Sequence, residues 1–204
     1  MNKTGKFIDH YNHLTDTYLR DALIFFYNQL PYTPSIYDFG CGDASYSKAL
    51  VQSNPDIDVA AYDGNPLTPE LTGGFGGVLD LASNLQLSKR DWVICFEVGE
   101  HVPKKYESIL LDNLFHHADK GVILSWATPG QGGNDHVNEQ ENSYIISEAR
   151  SRGFDINSSY TKAFRAGISP TPEKNSGTVI PVIFPNLSKE AYDASLTDIC
   201  VPLP

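Results

Sequence analysis

The sequence predicts a single α/β domain in which helices cover both faces of a seven-stranded, mostly parallel sheet. Short apolar runs alternate with helix-compatible segments from about residue 34 onward, which is typical of parallel strands joined by crossover helices. The first run leads into a glycine-rich turn, and the last two runs follow one another without a helix between them. Those last two runs predict a C-terminal antiparallel hairpin.

The length of 204 residues fits one domain with a single substantial core. We expect an N-terminal helical cap over residues 1–33, a core over 34–185 and a C-terminal tail over 186–204. The tail is either a segment that docks on a partner or a disordered end.

The composition of the chain indicates the cellular compartment in which we expect the protein. The chain is 41% hydrophobic and 20% charged, which is typical of globular proteins in water. No run approaches the ~18 apolar residues of a membrane span, and the first residues lack the apolar core of a secretory signal. The three scattered cysteines form neither a disulfide framework nor a zinc motif. We therefore expect a cytoplasmic protein with no membrane contact.

The formal net charge of −10 argues against nucleic acid as a partner. Proteins that bind polyphosphate usually concentrate cations on one face, whereas no basic run in this chain is longer than two residues. A small-molecule substrate fits this charge better.

The first predicted element is a helix over residues 6–30, where apolar side chains recur at steps of three or four until Pro31 ends the pattern. This helix either covers one side of the core or closes over a ligand pocket with Tyr11 and Tyr18 facing it. The apolar runs predict strands at 36–39, 57–63, 76–81, 91–98, 120–128, 154–164 and 178–184. Helices are predicted after the first strand, around 106–114 and over 139–152, with a short one at 69–71.

Residues 37–50, YDFGCGDASYSKAL, read as the end of a strand, a glycine turn and the start of a helix. Open α/β sheets build nucleotide pockets in this way, because glycine permits a tight turn and the helix N-terminus offers free N–H groups. A dinucleotide fingerprint would need glycine where the chain has Ser45. Asp38 would also repel a pyrophosphate, whereas its carboxylate suits the ammonium group of a methionine moiety.

The pattern Asp38-x-Gly40-x-Gly42-x-Ala44 resembles motif I of the class I S-adenosylmethionine-dependent methyltransferases, (D/E)xGxGxG, with alanine as the third small residue. The resemblance covers about residues 34–185 and implies a Rossmann-like fold with S-adenosyl-L-methionine as the cofactor. It implies that the cofactor lies against residues 38–42, namely Asp38, Phe39, Gly40, Cys41 and Gly42. The alternative is an ordinary strand-to-helix turn.

Acidic residues also end the next two predicted strands. Asp63 follows Gly40 by 23 residues, a spacing at which a carboxylate can accept hydrogen bonds from ribose hydroxyls; the cofactor would also contact the adjacent Gly64. By the resemblance, Asp80 would accept from the adenine amino group and the backbone of Leu81 would meet the ring. The alternatives are a solvated strand-end aspartate and a helix cap.

A second group of polar residues follows the fourth and fifth strands. If the chain turns helical after the fourth strand, Glu97, Glu100 and His101 share one face. His136 follows the fifth strand. The loops after neighbouring parallel strands open at the same sheet edge, so two carboxylates and two imidazoles could together hold one divalent cation.

This stretch resembles the ExxEH motif of the ubiquinone-biosynthesis O-methyltransferases and of the small-RNA terminal 2′-O-methyltransferases, in which a downstream histidine completes a metal site. The resemblance implies Glu97, Glu100, His101 and His136 as ligands of Mg²⁺ or Mn²⁺, since carboxylates favour hard cations. It also places Glu97 beside the cofactor. The alternative is a metal-free site in which these groups shape the pocket and His101 or His136 acts as general base.

The sequence therefore predicts an S-adenosylmethionine-dependent methyltransferase that acts on a small-molecule acceptor, with oxygen as the expected methylated atom. Glu97, Glu100, His101 and His136 are the candidate catalytic residues. Trp126 either forms an aromatic wall of the acceptor pocket or lies in the core. Three alternatives remain open: a terminal RNA 2′-O-methyltransferase, a non-catalytic S-adenosylmethionine-binding module, and a nicotinamide-dependent reductase.

Overall fold

The computed structural model describes residues 15–167 and 182–185. These residues form one seven-stranded sheet in the order β3-β2-β1-β4-β5-β7-β6. The strands are β1 Ser35–Phe39, β2 Asp58–Asp63, β3 Gly76–Val78, β4 Arg90–Cys95, β5 Ala118–Leu124, β6 Phe154–Ile156 and β7 Val182–Pro185. The helices are α1 Thr17–Asn28, α2 Ser45–Ser53, α3 Thr68–Leu71, α4 Lys104–His116, α5 Asn142–Ser151 and α6 Ser158–Gly167, with a 3₁₀ helix at Gly99–His101.

The first five strands are parallel, whereas β7 runs antiparallel to both β5 and β6. Strand order reverses around β1, which lies between β2 and β4. Loops that leave the carboxyl ends of strands on either side of such a reversal diverge and open a crevice. The sheet therefore provides a binding crevice between the loops after β1 and β4.

Alternation along the central strands divides the core between the two faces of the sheet. In β4, Val93 and Cys95 pack on the side of α4 and α5, whereas Trp92 and Ile94 pack on the side of α1, α2 and α6. Each of these four side chains is at most 2% exposed. A strand buried on both faces needs a continuous apolar run, which explains why β4 is the most apolar of the predicted strands.

The prediction of a strand over residues 154–164 is wrong beyond its first three residues. β6 ends at Ile156, and α6 follows after Asn157, whose side-chain oxygen accepts from Tyr160 N at 2.9 Å. Tyr160 and Phe164 lie one helical turn apart, and both pack against Phe26 at ring-centroid distances of 5.3 and 5.6 Å. The apolar spacing was helical, so a helix separates β6 from β7 where a direct hairpin was expected.

The N-terminal helix is shorter than predicted within the described residues. α1 begins after Asp16, whose Oδ1 accepts from the amides of Tyr18 and Leu19 at 2.9 and 3.0 Å. Tyr18 is 50% exposed, and Tyr11 lies outside the described residues, as does the predicted tail over 186–204. None of the described helices is long and apolar enough to cross a membrane.

Candidate functional site

The glycine turn after β1 needs backbone conformations that favour glycine. Gly40 has φ +82° and Gly42 has φ +56°, and Ala44, which precedes α2, has φ +60°. The amides of Gly40 and Cys41 both donate to Tyr62 O, at 2.7 and 3.0 Å. A Cβ at position 40 would lie 2.2 Å from Cγ2 of Val98. The turn is therefore fixed by β2 on one side and by the segment after β4 on the other.

Asp63 joins the glycine turn to the end of β2. Its Oδ2 accepts from Gly42 N at 3.0 Å, and its Oδ1 accepts from Asn65 N at 2.8 Å. The structure therefore brings together the glycine turn and the strand-end acid that the sequence predicted as one site. Gly64 lies between Asp63 and Asn65, in the turn that the hydrogen bond from Asn65 N closes.

Asp38 is buried at 2% exposure, and its carboxylate accepts a hydrogen bond from the hydroxyl of Ser47 in α2. Burial raises the pKa of Asp38 to about 7; the Ser47 hydrogen bond opposes this rise, and the charges of Asp63 and Asp43 add to it. The carboxylate therefore joins β1 to α2 and lies close to its own titration point at neutral pH.

The other side chains of the turn face inward. Phe39 is fully buried and stacks on Tyr37 with ring centroids 4.9 Å apart. The Cys41 thiol is buried, and this burial raises its pKa. For residues 39–42, only the backbone can therefore offer polar groups to a ligand at this turn.

Asp80 and Leu81 follow β3, which ends at Val78. Asp80 Oδ1 accepts from Ala82 N at 3.0 Å in a turn that no helix follows, so this contact is not the helix cap of the alternative interpretation. Leu81 is buried, and its carbonyl accepts from Asn113 Nδ2 at 3.0 Å. These contacts fix the segment after β3, beside the crevice edge formed by Asp63.

Glu97 follows β4 with φ +54°, a sparsely populated conformation for a residue with a side chain. Its amide donates to Ser125 Oγ at 2.9 Å, and the same hydroxyl donates to Glu97 Oε1 at 2.7 Å. Ser125 directly follows β5, so this pair joins the ends of β4 and β5. Backbone strain of this kind is found most often at functional sites.

Glu100 is fully buried in the 3₁₀ helix Gly99–His101. Within residues 15–167 and 182–185, neither of its carboxyl oxygens has a hydrogen-bond partner. Burial, and next the charge of Glu97, raise the pKa of Glu100 to about 9. Glu97 lies outside the 3₁₀ helix, so the expected single helical face for Glu97, Glu100 and His101 does not form.

The loop after β5 folds back onto Glu100. The carbonyl of Glu100 accepts from the amides of Val137 and Asn138 at 2.9 and 3.0 Å. This contact brings His136 next to His101, with ring centroids 5.0 Å apart. The two histidines are 35 positions apart in the sequence, so this loop contact is what makes them neighbours.

Glu100, His101 and His136 each place one ligand atom within 4.8 Å of the others. Among the residues that the structure describes, Glu97 is not part of this group. His101 Nδ1 lies 3.3 Å from Asp135 O; because a carbonyl only accepts, Nδ1 carries the proton and Nε2 the lone pair. Burial lowers the pKa of His101 and so keeps the ring neutral. One carboxyl without a partner and two imidazoles fit a divalent cation.

The sequence interpretation missed Glu107 and Glu139. Glu107, buried in α4, accepts from Lys104, Tyr144, Asn138 and Gln140. Glu139 accepts from the amides of Gly130 and Gly132 at 2.8 and 2.9 Å, and lies 3.1 Å from His136 Nδ1. The sequence signal that could have identified Glu139 is its position three residues after His136, a candidate metal ligand.

Trp126 belongs to the core. It is 2% exposed, and its Nε1 donates to Asn138 O at 2.7 Å. Its six-membered ring lies directly against Gly99. The indole therefore packs against the start of the 3₁₀ helix that carries Glu100 and His101.

Solved structures with this fold include two that align over most of their length. One is magnesium protoporphyrin IX methyltransferase (ChlM) from Synechocystis PCC 6803 with bound SAH. Its TM-score is 0.63 at 19% identity, and the alignment covers 87% of this chain and 90% of that chain. The other is the methyltransferase domain of bacterial CtHen1-C. Its TM-score is 0.59 at 14% identity, with 85% and 100% of the two chains covered.

A third is the O-methyltransferase NcsB1 from neocarzinostatin biosynthesis, in complex with S-adenosyl-L-homocysteine and 1,4-dihydroxy-2-naphthoic acid. Its TM-score is 0.55 at 14% identity, with 84% of this chain and 57% of that chain covered. No protein-family model and no curated protein matches the sequence. The predicted α/β fold with a mostly parallel sheet, which this chain shares with these solved methyltransferase structures, is therefore confirmed.

Proposed function

We propose that this chain is an S-adenosylmethionine-dependent methyltransferase that methylates an oxygen of a small molecule. The observation that carries the proposal is the hydrogen bond from Gly42 N to Asp63 Oδ2, 3.0 Å long. It joins a glycine turn and a strand-end acid at the point where the sheet order reverses, which is where ligands of open α/β sheets bind. The fold shared with structures crystallised with SAM or SAH supports the same conclusion.

We assign the cofactor to the crevice between the loops after β1 and β4, with the end of β2 beside it. The backbone of residues 39–42 would approach the methionine part, with Asp38 behind the turn as the acid nearest its ammonium group. Asp63, with Gly64, would accept from the ribose hydroxyls. Asp80 and Leu81 would border the adenine, and Glu97 would face the cofactor from the end of β4.

The methyl group of S-adenosylmethionine is already activated as a sulfonium. The tasks left to the chain are to align the acceptor oxygen for in-line displacement, to exclude water and to remove the acceptor proton. His101 and His136 are the candidate bases, since their rings lie 5.0 Å apart at the edge of the crevice. A neutral His101, favoured by its lowered pKa, can accept that proton at Nε2.

We further propose that Glu100, His101 and His136 hold Mg²⁺ or Mn²⁺. The buried carboxyl of Glu100, both of whose oxygens lack partners in the described part of the chain, supports this assignment. A bound divalent cation would lower the pKa of an acceptor hydroxyl. Glu97, whose charge acts on Glu100, would contact the acceptor or the ion's solvent shell.

The small-molecule acceptor rests on the charge of the chain. A net charge of −10 disfavours a polyphosphate partner. The O-methyltransferase NcsB1, which has the same fold, is in complex with 1,4-dihydroxy-2-naphthoic acid, a small hydroxylated molecule.

A terminal RNA 2′-O-methyltransferase is the second candidate, and the group of Glu100, His101 and His136 is the observation that favours it. Its test is binding of a short single-stranded RNA at several salt concentrations. Affinity that falls steeply with salt would favour RNA as the acceptor. A non-catalytic module would instead bind the cofactor and methylate neither RNA nor small hydroxyl compounds.

Calorimetric titration with S-adenosylmethionine, S-adenosylhomocysteine and NADH tests the cofactor assignment. We expect the first two to bind and NADH not to bind. Asp63→Ala should abolish binding, whereas Asp56→Ala, which removes an exposed carboxylate before β2, should leave it unchanged. Binding of NADH alone would replace the proposal with a reductase, and equal binding by both variants would remove Asp63 from the site.

A further inference from the structure

Glu139 lies where it can fix the orientation of His136. Its Oε1 is 3.1 Å from His136 Nδ1 and also accepts from Gly132 N at 2.9 Å. Its Oε2 accepts from Gly130 N at 2.8 Å. One carboxylate thus gathers three groups of the loop after β5 and holds the histidine by one ring nitrogen.

A second contact restricts the same ring from another side. A Cβ at Gly133 would lie 2.3 Å from His136 Nε2 and 2.5 Å from Cε1. The imidazole therefore packs directly on the Gly133 backbone, in a space that only glycine leaves open. Because Gly133 and Glu139 act on different atoms of the ring, both its position and its rotation are restricted.

We propose that Glu139 is a positioning residue that holds His136 in the tautomer with the proton on Nδ1, so that Nε2 carries the lone pair used by the site. An ionised carboxylate only accepts hydrogen bonds, so the His136 nitrogen that faces it must donate. His101 has the same arrangement, since its Nδ1 faces Asp135 O at 3.3 Å. The loop after β5 thus supplies an acceptor to each of the two histidines.

This arrangement is typical of histidines that act through their other nitrogen. Metal-binding histidines usually donate the second ring N–H to a carboxylate or a carbonyl, which fixes the ring and raises its basicity. The same pairing orients a histidine that acts as general base. The inference rests on the proposed function for the purpose of Nε2, but the tautomer itself can be measured without cofactor, metal or acceptor.

Nitrogen-15 NMR of the metal-free protein tests the tautomer directly. We expect wild-type His136 to carry its proton on Nδ1. Glu139→Ala should shift the ring toward a mixture with Nε2–H, and Glu139→Gln should retain more of the native tautomer, because its amide oxygen can still accept. Glu141→Ala is the matched control, since Glu141 is exposed and its side chain does not cap α5.

The NMR outcomes decide the inference. A wild-type His136 with its proton on Nε2 would overturn it, and so would an unchanged tautomer in Glu139→Ala. A loop that Glu139 merely stabilises would lose thermal stability in both Glu139 variants but would leave the tautomer of Glu139→Gln equal to that of Glu139→Ala. Positioning by the carboxylate is supported if the fraction of His136 with its proton on Nδ1 is highest in the wild type, lower in Glu139→Gln and lowest in Glu139→Ala.

Titration with Mn²⁺ separates this inference from the metal proposal. If the wild type binds Mn²⁺, Glu139→Ala should weaken the affinity by about 10- to 100-fold, and Glu141→Ala should not. An affinity unchanged in Glu139→Ala would overturn positioning for metal binding. If the wild type shows the Nδ1–H tautomer but binds no Mn²⁺, the metal proposal fails and Glu139 positions His136 as a base.

Discussion

Gly99 and Trp126 are in direct contact, and a single added methyl group would close the space between them. A Cβ at position 99 would lie 2.2–2.4 Å from three atoms of the indole ring. Gly99 opens the 3₁₀ helix that carries Glu100 and His101, and Trp126 follows β5. The contact therefore sets the distance between the two segments that supply the candidate metal ligands.

Gly99→Ala should destabilise the protein by about 1–3 kcal/mol, because the indole is fully packed and cannot move aside without strain. Urea unfolding measures this change. In a double-mutant cycle, the cost of Gly99→Ala should fall on a Trp126→Leu background, where the ring is absent. Equal costs in both backgrounds would contradict the contact as the cause.

Gly40→Ala should cost more than Gly153→Ala, although both glycines have nearly the same backbone angle, φ +82° and +83°. Both variants carry the positive-φ penalty of roughly 1–2 kcal/mol. Only Gly40 faces a side chain, Cγ2 of Val98 at 2.2 Å, whereas Gly153 has nothing within 4 Å.

The excess for Gly40→Ala should be about 1–3 kcal/mol by urea unfolding, together with weaker binding of S-adenosylmethionine. Gly153→Ala should leave that binding unchanged. Indistinguishable unfolding curves for the two variants would show that the approach of Val98 carries no cost.

Asp38 should make stability fall as the pH rises from about 4 to about 7. Its pKa is raised from 3.8 to about 7 in the folded protein, so in this interval the folded state keeps a proton that the unfolded chain releases. The contribution of Asp38 to the free energy of unfolding is therefore fully present below the pKa of the unfolded chain. Between that pKa and pH 7 it decreases by on the order of 1.4 kcal/mol per pH unit, and above pH 7 it is constant.

Asp38→Asn removes this titration. Urea unfolding at pH 5, 6 and 7 should therefore give the variant a flatter dependence of stability on pH than the wild type. Parallel pH dependences would mean that Asp38 ionises near its ordinary pKa despite its burial.

Replacing either of two buried glutamates, Glu100 or Glu107, by glutamine should change the stability of the protein by different amounts. Burial and the charge of Glu97 raise the pKa of Glu100, which favours a neutral carboxyl at pH 7, so Glu100→Gln replaces it with a similar neutral group. We expect a change in stability within about 1 kcal/mol and a loss of Mn²⁺ affinity by calorimetry.

Glu107 is the matched comparison. Burial opposes its ionisation, but hydrogen bonds from Lys104, Tyr144 and Asn138 outweigh that effect and lower its pKa. Glu107→Gln should therefore destabilise the metal-free protein by about 1–3 kcal/mol, since the amide cannot accept all four bonds. A larger stability loss in Glu100→Gln than in Glu107→Gln would contradict the protonated state of Glu100.

The sequence predicted strands and helices best where the local residue pattern fitted only one of the two. The apolar run before Gly40 predicted a strand that ends in a turn, and the spacing from Gly40 to Asp63 fits one strand–helix–strand unit. The prediction of a strand over residues 154–164 is wrong because it placed Tyr160 and Phe164 in an extended segment. Their spacing of four is a helical repeat, and their contacts with Phe26 in α1 decide between the two.

Side-chain environments were harder to predict than elements. Asp38 is predicted to lie beside the ammonium group of the cofactor, but the sequence did not indicate that its carboxylate is buried and paired with Ser47. The sequence left open whether Trp126 walls the acceptor pocket or lies in the core, and its 2% exposure places it in the core. Burial depends on every element packed around a residue, which no short stretch of sequence contains.

The sequence by itself determined the α/β fold, the glycine turn and the acid that accompanies it, because backbone stereochemistry and the periods of strand and helix act over neighbouring residues. The tertiary structure alone decided that His101 and His136 meet, that Glu100 is buried without a partner in the described residues, and that Glu139 faces His136. These relationships depend on strand order and on a loop that folds back by hydrogen bonds to the Glu100 carbonyl. Contacts between distant segments are set by the packing of the whole domain.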